Sequence, residues 1–322
     1  MSLDVNPFSE VNRKVWDEFV WGANNGTLFH TRQFLDYHPP DRFVDRSLLF
    51  CKGERIVAVL PAVEWHEKGA KSLLSHRGAS YGGPVVRDDL SVREAFDLVR
   101  ALLLWARDNR YDSIDLTLVP QIYYRRPSNY IDFALIQNGF SYRKREISSV
   151  IPLNMDRREI LNTFRESSRR AVRRAYKLGV KVQESTRYDL FYQILKKNLR
   201  LRHNVTPTHT LEELDVLRRL FPERIKLFAA EHHGRMAAGV VIFICNPQVV
   251  LAFYISHDEA MQNVRGVNAL FHAIIDWGIT SGFLYLDFGI FTVNEDPNWG
   301  LARFKESFGA QGVFRDSLRC AL

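Results

Sequence analysis

The chain has 322 residues, of which 46% are hydrophobic and 25% charged, and its formal net charge is +7. This composition is typical of a folded globular protein, and the length predicts about two domains. The sequence contains no apolar run of 18 or more residues and no basic-then-apolar leader, so we expect no integral membrane association and a cytoplasmic location. The three cysteines are widely spaced and no histidine pair has the context of metal ligands, so we expect neither a disulfide framework nor a metal site.

The first half of the sequence alternates predicted strands and helices. Helices are expected over 12–21, from Ser91 onward and up to Gly139, and strands over 47–51, 56–63 and 113–119. The loop 80–84 contains two glycines, which allow the backbone to approach another group closely. Tyr81 in this loop is a candidate substrate contact.

The second half repeats this order of elements. It contains a predicted hairpin over 225–244, a strand over 249–256, a helix that begins near Arg265 and a strand over 284–288. Three matches occur in the same order at nearly constant offsets, namely Trp105 with Trp277, 114–116 with 286–288 and 129–130 with 298–299. The sequence therefore predicts an internal duplication.

The segment 283–312 is the strongest candidate for a site. A predicted buried strand carries Asp287 at its centre, where a carboxylate needs a hydrogen-bonding or catalytic partner. A polar loop and a short basic helix over 300–308 follow, with Arg303 and Lys305. A strand end beside a loop and a helix is a common ligand-binding place in α/β proteins. The alternative is that Asp287 caps a neighbouring helix and that Lys305 is only solvated.

A long helix over 156–179 is predicted between the two halves, with capping-box spacing at its start and Gly179 at its end. Residues 165–181 carry seven basic residues and one acid. Four arginines of this helix have spacings that let several of them converge on one polyanion: Arg169, Arg170, Arg173 and Arg174. The alternative is a solvated face of a connecting helix.

Five stretches carry a resemblance to a known family: YGGP from Tyr81, RRAVRRAYKLGVKV from Arg169, FYISHDEA from Phe253, LDFG from Leu286 and GLARFKESFG from Gly300. They resemble the Fem family of peptidoglycan-bridge aminoacyltransferases and their FemAB-like relatives of the GNAT superfamily. The resemblance implies an α/β fold of tandem duplicated GNAT-like domains, each a central mixed sheet flanked by helices. We expect a degenerate N-terminal copy over 1–152 and a C-terminal copy over 153–322, which opens with the basic helix.

What the resemblance implies for function is acyl or aminoacyl transfer without a metal. In the family, two domains form a cleft for a peptidoglycan precursor, and the aminoacyl group arrives on a tRNA. The chain departs from the family in lacking a long helical hairpin. It also departs from ordinary GNAT enzymes at the coenzyme A loop, where Gly266 fits the pattern but Asn263 and Asn268 stand at the flanking positions.

The candidate site residues follow from this chemistry, since acyl transfer to an amine needs positioning, proton removal and oxyanion stabilisation. Lys305 is the candidate for the oxyanion or for donor phosphates, and Asp287 and Tyr254 are candidates for proton handling. Tyr254 is alternatively a core aromatic. The resemblance would place His203 and His209 on the acceptor side. The remaining candidate substrate contacts are Asn268, Asn298 and Arg303.

The leading functional hypothesis is an acyl- or aminoacyltransferase acting on an amine of a phosphate-bearing cell-wall or polysaccharide precursor, either nucleotide- or lipid-linked. Its donor would be an aminoacyl-tRNA or an acyl-coenzyme A, with no tightly bound cofactor. Two alternatives stay open: a coenzyme A-dependent N-acetyltransferase, and a non-catalytic RNA-binding module built on the arginine helix. A DNA partner is not expected.

Overall fold

The computed structural model describes residues 3–203, 206–293 and 295–322, and the chain divides into two compact units. The first unit comprises Met1–Glu146 together with Phe314–Leu322, and the second comprises Ile147–Val313. The last strand of the sequence thus belongs to the first unit. None of the helices in the described part of the chain is both long and apolar enough to span a membrane.

The first unit contains two sheets and the helices that pack on them. Its helices are α1 (Arg13–Gly22), α2 (Arg32–Leu35), α3 (Val92–Asp108) and α4 (Tyr130–Gln137). Its strands are β1 (Asp4–Pro7), β2 (Val44–Asp45), β3 (Leu48–Lys52), β4 (Arg55–Leu60), β5 (Ala62–Glu67), β6 (Ala70–Ser75), β7 (Val85–Val86) and β8 (Ser113–Thr117). One sheet has the order β1-β3-β4-β7, and in the other β8, β6, β5 and β2 follow the C-terminal strand.

The second unit is built on one mixed sheet. After β9 (Ser141–Pro152), its helices are α5 (Ile160–Thr163), α6 (Glu166–Lys177), α7 (Tyr188–His203), α8 (Leu211–Leu220), α9 (Gly266–Thr280) and α10 (Trp299–Glu306). Its strands are β10 (Lys181–Ser185), β11 (Ile225–His232), β12 (Arg235–Ile244), β13 (Val249–His257), β14 (Tyr285–Ile290), β15 (Thr292–Val293), β16 (Asp296–Pro297) and the start of β17 (Gln311–Ala321). The strand order is β10-β11-β12-β13-β14-β9.

The predicted repeat of elements is present. Each unit contains one pair of parallel neighbouring strands, β6 with β8 and β13 with β14. A helix precedes the second strand of each pair, α3 in the first unit and α9 in the second, and these helices carry Trp105 and Trp277. Both tryptophans are half-buried against an aromatic neighbour, Tyr111 and Phe228 respectively. The sequence matches therefore mark equivalent elements of the two units.

Local signals explain where the α3 helix begins. The Ser91 side chain accepts the backbone N–H of Glu94 and the Glu94 side chain reaches back to Ser91, which is the capping box expected there. The apolar face of α3 is buried in the core of the first unit; it comprises Ala95, Leu98, Val99, Leu102, Leu103 and Ala106.

The single long helix predicted over 156–179 is wrong, because the chain leaves the helical conformation at Phe164 and Arg165. The Phe164 ring packs edge-on against Phe308 with 5.1 Å between the ring centroids. The Arg165 N–H donates to the Ser307 carbonyl at 2.9 Å. These contacts fix an extended backbone at both residues, and α6 starts only afterwards. The predicted stop is confirmed, since Gly179 has a φ of +82°.

Helices cover both faces of the sheet in the second unit. The α9 helix buries Leu270, Phe271 and Ile274 in the main core, together with Val172 and Ala175 of α6. On the opposite face, the α7 residue Phe191 packs on Gly239 of β12 so closely that a Cβ atom at Gly239 would lie 2.4 Å from the ring. A side chain at position 239 would therefore push α7 off the sheet.

Candidate functional site

The parallel strands β13 and β14 pair over only part of their length. Their register runs from Val249 opposite Tyr285 to Leu251 opposite Asp287, although β13 continues to His257 and β14 to Ile290. Gly289, with a φ of +69°, turns β14 away just after the last pair. We call the space between the unpaired ends, 252–257 and 288–290, the β13–β14 opening. It lies at the carboxyl ends of parallel strands, where α/β proteins bind ligands.

In the first unit the chain itself closes the equivalent position. Beyond the last pair of β6 and β8, the Thr117 N–H donates to the Ser75 hydroxyl at 2.8 Å and the Gly82 N–H donates to the Thr117 carbonyl at 2.8 Å. Gly83 adopts a φ of +78° and packs so close to Leu118 that a Cβ atom would lie 2.8 Å from its side chain. The close approach predicted for this glycine loop is therefore an approach to β8.

Tyr81, predicted as a substrate contact, lies in the core of the first unit. Its hydroxyl accepts a hydrogen bond from the Tyr123 hydroxyl at 3.4 Å, and its ring packs against Phe29. The Arg315 guanidinium lies 5.1 Å from the ring centroid. The contacts of this side chain are those of a packed core aromatic.

Asp287 is fully buried, at 0% exposure, in the middle of β14. It accepts a hydrogen bond from the Gly289 N–H at 2.7 Å and another from the Ser148 hydroxyl of β9. The expectation of a hydrogen-bonding partner is confirmed. The carboxylate binds the turn of its own strand and so stabilises the left-handed backbone at Gly289.

Lys305 is buried at 2% exposure, so the alternative that it is only solvated is wrong. Its ammonium donates to three successive carbonyls, those of Phe288 at 2.8 Å, Gly289 at 2.7 Å and Ile290 at 2.6 Å. The carbonyls converge because Gly289 breaks the alternation of the strand. A lysine has three N–H donors, and all are used here.

Burial lowers the pKa of Lys305 to about 8, while the nearby Asp287 acts in the opposite direction. The ammonium is therefore fixed at the edge of the β13–β14 opening by the backbone of β14. It contributes a positive charge there. Its hydrogen bonds also hold the end of β14 in the bent conformation that separates this end from β13.

Tyr254 lies on β13 and is buried. Its hydroxyl oxygen accepts the backbone N–H of His209 at 3.0 Å and lies 2.9 Å from the His209 Nδ1 atom. Burial raises the pKa of Tyr254 to about 12. Since Leu251 is paired with Asp287, Tyr254 lies three residues further along β13, about 10 Å from that level of the sheet. The structure thus brings Asp287 and Lys305 together and places Tyr254 apart from them.

The arginines of α6 divide into two groups. Arg170 forms an exposed ion pair with Glu166 at 2.8 Å, an arrangement that contributes ~0–1 kcal/mol. Arg169, Arg173 and Arg174 have no acidic partner among the residues that the structure describes. The unpaired three therefore leave α6 with an unneutralised positive face, and their role in anion binding stays a prediction.

The remaining predicted contacts have mainly local roles. The Asn298 side chain caps α10 by accepting the Leu301 N–H at 3.0 Å. Arg303 is exposed, and its Nε atom donates to the Trp299 carbonyl at 3.3 Å. Asn268 is half-buried in the first turn of α9, and the side chain of His203 lies outside the described part of the structure. In the same described part, no group of three His, Cys, Asp or Glu residues could hold a metal ion.

Sequence reasoning missed two residues of this region. Ser148 contacts Asp287 from a strand far away in the sequence, and nothing in its neighbourhood marks it. Gly289 follows Asp287 in the pattern Asp-Phe-Gly, which is compatible with an Asx turn and could have signalled the bend.

Residues 162–306 match the acetyltransferase (GNAT) domain family. The crystal structure of FemX has a TM-score of 0.76 at 14% identity, covering 99% of this chain and 97% of that one. A tandem GNAT protein from the clavulanic acid biosynthesis pathway has a TM-score of 0.57 at 11% identity, covering 99% and 98%. The C-terminal domain of a putative lysylphosphatidylglycerol synthetase from Agrobacterium fabrum has a TM-score of 0.56 at 11% identity, covering 82% and 80%. No protein of curated function matches the sequence. The predicted tandem GNAT fold is thereby confirmed.

Proposed function

We propose that the chain transfers an acyl or aminoacyl group to an amine of a phosphate-bearing cell-wall or polysaccharide precursor, a function supported by the match of residues 162–306 to the acetyltransferase (GNAT) domain family. The observation that carries this proposal is the β13–β14 opening, with Asp287 and Lys305 fixed at its edge. The equivalent place in the first unit is closed by its own backbone. We therefore assign the transfer to the second unit.

The opening supplies what acyl transfer needs. Backbone groups of β13 beyond Leu251 have no partner on β14, so they can hydrogen-bond an extended acyl group laid between the strands. The Lys305 ammonium adds positive charge next to the place where a tetrahedral intermediate would develop its oxyanion. The acceptor amine loses one proton as the new bond to the acyl carbon forms, and the leaving group of the donor gains one.

Tyr254 is our candidate for supplying the proton to the leaving group. Its hydroxyl stays protonated at neutral pH, because burial raises its pKa to about 12, and its oxygen is oriented by the His209 N–H. An oriented neutral phenol is suited to act as a general acid. Asp287 keeps its role as the carboxylate that positions Lys305 and the Gly289 turn.

The phosphate of the acceptor is assigned to the α6 arginines that lack an acidic partner, Arg169, Arg173 and Arg174. The Tyr176 hydroxyl lies 3.0 Å from the His272 Nδ1 atom, and this hydrogen bond holds the last turn of α6 beside α9. Guanidinium groups without a carboxylate partner bind phosphate with charge-assisted hydrogen bonds. The similarity to a putative lysylphosphatidylglycerol synthetase also supports an aminoacyl donor, a phosphate-bearing acceptor and a tRNA as a further partner.

A coenzyme A-dependent N-acetyltransferase is the second candidate. It is favoured by the match to the acetyltransferase domain, since GNAT domains generally use acyl-coenzyme A as donor. The residues around the start of α9 argue against it, because Asn263 and Asn268 flank Gly266 where the coenzyme A pattern has other residues. A direct comparison of donors separates the two candidates.

The test is single-turnover transfer by the full chain with aminoacyl-tRNA or acetyl-coenzyme A, using nucleotide-linked and lipid-linked amine acceptors. We expect transfer from the aminoacyl donor and a loss of about 10²-fold or more in Asp287→Asn. Asp115→Asn, at the matched position of the first unit, is the control and should keep its transfer rate. Absence of transfer from both donors, or equal losses in the two variants, would contradict the assignment to the second unit.

A further inference from the structure

The exposed positive face of α6 continues beyond the arginines that we assign to the acceptor phosphate. Lys177, the last residue of the helix, is exposed and lies opposite the buried Val172 and Ala175. Leu178 follows it and is 41% exposed, and Lys181 begins β10 with an exposed side chain. Neither lysine has an acidic partner in the part of the chain that the structure describes. The proposed transfer gives Lys177, Leu178 and Lys181 no role.

The turn of the β11–β12 hairpin lies beside these residues. Lys181 is paired with Glu231, which precedes the turn at the end of β11. The exposed Arg235 begins β12 on the other side of the turn. Two acids lie next to the turn and each has an arginine, since Glu231 forms an ion pair with Arg187 and Asp258 lies 3.5 Å from Arg235. The charges of the two lysines are therefore left over.

We call residues 177–181 and the adjoining hairpin turn, 233–234, the basic end. It lies at the same end of the sheet as the β13–β14 opening. The strand register places it there, because Ala238, near the start of β12, pairs with His257, the last residue of β13. The carboxyl end of β13 borders the opening and is three strands away from β10, which corresponds to about 14 Å. The basic end and the opening are thus side by side.

Leu178 indicates which kind of anion this surface fits. An aliphatic side chain gains nothing from a free phosphate or from an RNA backbone, whereas a bilayer takes it up below its phosphate groups. The neighbouring Tyr176 is not a platform for base stacking, because its ring packs edge-on against His272 with 5.6 Å between the ring centroids. The long stems of the lysines can lie along the bilayer boundary while their ammonium groups reach the lipid phosphates. Positive charge around an exposed leucine therefore matches the surface of an anionic bilayer.

We propose that the basic end is a docking surface for an anionic lipid bilayer. Lys177 and Lys181 contact the phosphate groups of the lipids, and Leu178 enters the boundary between headgroups and acyl chains. This contact is peripheral and needs no helix that spans the bilayer. It brings the end of the sheet that carries the β13–β14 opening to the bilayer. The inference goes beyond the proposed function and does not depend on which group is transferred.

The test is co-sedimentation of the full chain with vesicles at low salt, using phosphatidylcholine with phosphatidylglycerol or phosphatidylcholine alone. The wild type should bind only the anionic vesicles, and added salt should release it. The double variant Lys177→Gln, Lys181→Gln should bind the anionic vesicles about 10- to 30-fold more weakly. Leu178→Ser should bind them about three- to tenfold more weakly, because apolar contact with the bilayer is lost.

The matched control is the double variant Arg219→Gln, Lys226→Gln. It removes the same charge from the end of α8 and the start of β11, at the opposite end of the sheet. Its binding to anionic vesicles should stay within about twofold of wild type, because these positions lie beyond a Debye length from the docked surface. Thermal unfolding of each variant shows that it is folded.

Four results would decide the proposal. Equal vesicle binding by the two double variants would overturn the docking surface, and so would a wild type that does not bind the anionic vesicles. Displacement from the vesicles by inorganic pyrophosphate or by single-stranded RNA at constant ionic strength, with Leu178→Ser behaving as wild type, would overturn the choice of a bilayer. Vesicle binding that depends on both lysines, in a protein that transfers no acyl group, would support the docking surface and refute only the proposed function.

Discussion

Replacing Lys305 by Met should both destabilise the protein and abolish transfer. The ammonium donates to the carbonyls of Phe288, Gly289 and Ile290, and the first of these bonds is fully buried. Leaving a buried carbonyl without a donor costs ~1–3 kcal/mol, and the two partly buried carbonyls regain some solvation. Burying the ammonium is itself unfavourable, as its pKa of about 8 indicates. Replacement by Met removes this desolvation cost and so offsets part of the loss in the free energy of unfolding. We expect a net loss of about 2–4 kcal/mol in the free energy of unfolding.

The measurements are thermal unfolding by circular dichroism and single-turnover transfer well below the melting temperature. A loss of this size lowers Tm by roughly 5–15 °C for a unit of this length. Lys226→Met is the control, because the ion pair of the half-buried Lys226 with the exposed Glu184 at 3.2 Å should contribute about 1 kcal/mol or less. Lys305→Arg should recover little, since a planar fork does not fit three converging carbonyls.

Two outcomes would refute this reasoning about Lys305. A Tm within about 2 °C of wild type in Lys305→Met would show that the three carbonyls do not depend on the ammonium. A large drop in Tm with unchanged transfer per folded molecule would confine Lys305 to a structural role. The proton-transfer candidate Tyr254 would then have to account for the chemistry.

Three further predictions follow from the same geometry. Burial places the pKa of Lys305 at about 8 in the folded state, below its usual 10.5, so between these values unfolding takes up a proton. In urea titrations, the free energy of unfolding of the wild type should therefore rise above pH 8, relative to that of Lys305→Met, by up to ~1.4 kcal/mol per pH unit. The transfer rate of the wild type should fall over the same pH range. The double variant Arg173→Gln, Arg174→Gln should bind a phosphorylated acceptor more than about tenfold more weakly in calorimetry. Arg170→Gln should have a smaller effect, because Arg170 is already paired with Glu166. Equal effects would contradict the division of the α6 arginines into paired and unpaired groups. Tyr254→Phe should lower single-turnover transfer by about 10²-fold and should also lower Tm, because the buried His209 N–H loses the Tyr254 hydroxyl as its acceptor; full activity would exclude the phenol as the acid.

Features that depend on neighbouring residues could be predicted from the sequence. The capping box at Ser91 and the left-handed stop at Gly179 are set by contacts within one helical turn, and both are present. The repeat was detectable because one of its matches, 114–116 with 286–288, lies in buried segments of equivalent strands. Asp287 was recognisable as a residue that needs a partner, because a charge in a buried strand is costly.

Features that depend on contacts between distant segments could not be predicted. The break at Arg165 requires the Ser307 carbonyl, far away in the sequence, and nothing in the local helical pattern reveals it. The burial of Lys305 requires the bend at Gly289, because only then do successive carbonyls point to one place. From the sequence alone, a lysine on a short amphipathic helix is predicted to be exposed. The errors at the candidate site therefore arise from a backbone geometry that two separated elements create together.

The two units differ at the same strand end, and this difference explains why one of them is suited to chemistry. In the first unit, position 117 is a threonine whose N–H and C=O are bound by Ser75 and Gly82, so β8 stays extended and covered. In the second unit, the position matched to Thr117 is Gly289, whose positive φ bends β14 where its register with β9 shifts between Asp287 and Ile290. The bend exposes carbonyls that need a donor, and α10 supplies it as Lys305, where the repeat places the apolar Ile136 in the first unit. A glycine without the lysine would leave those carbonyls unpaired, and a lysine without the glycine would bury a charge without partners. The opening therefore depends on both Gly289 and Lys305, and neither residue alone would produce it.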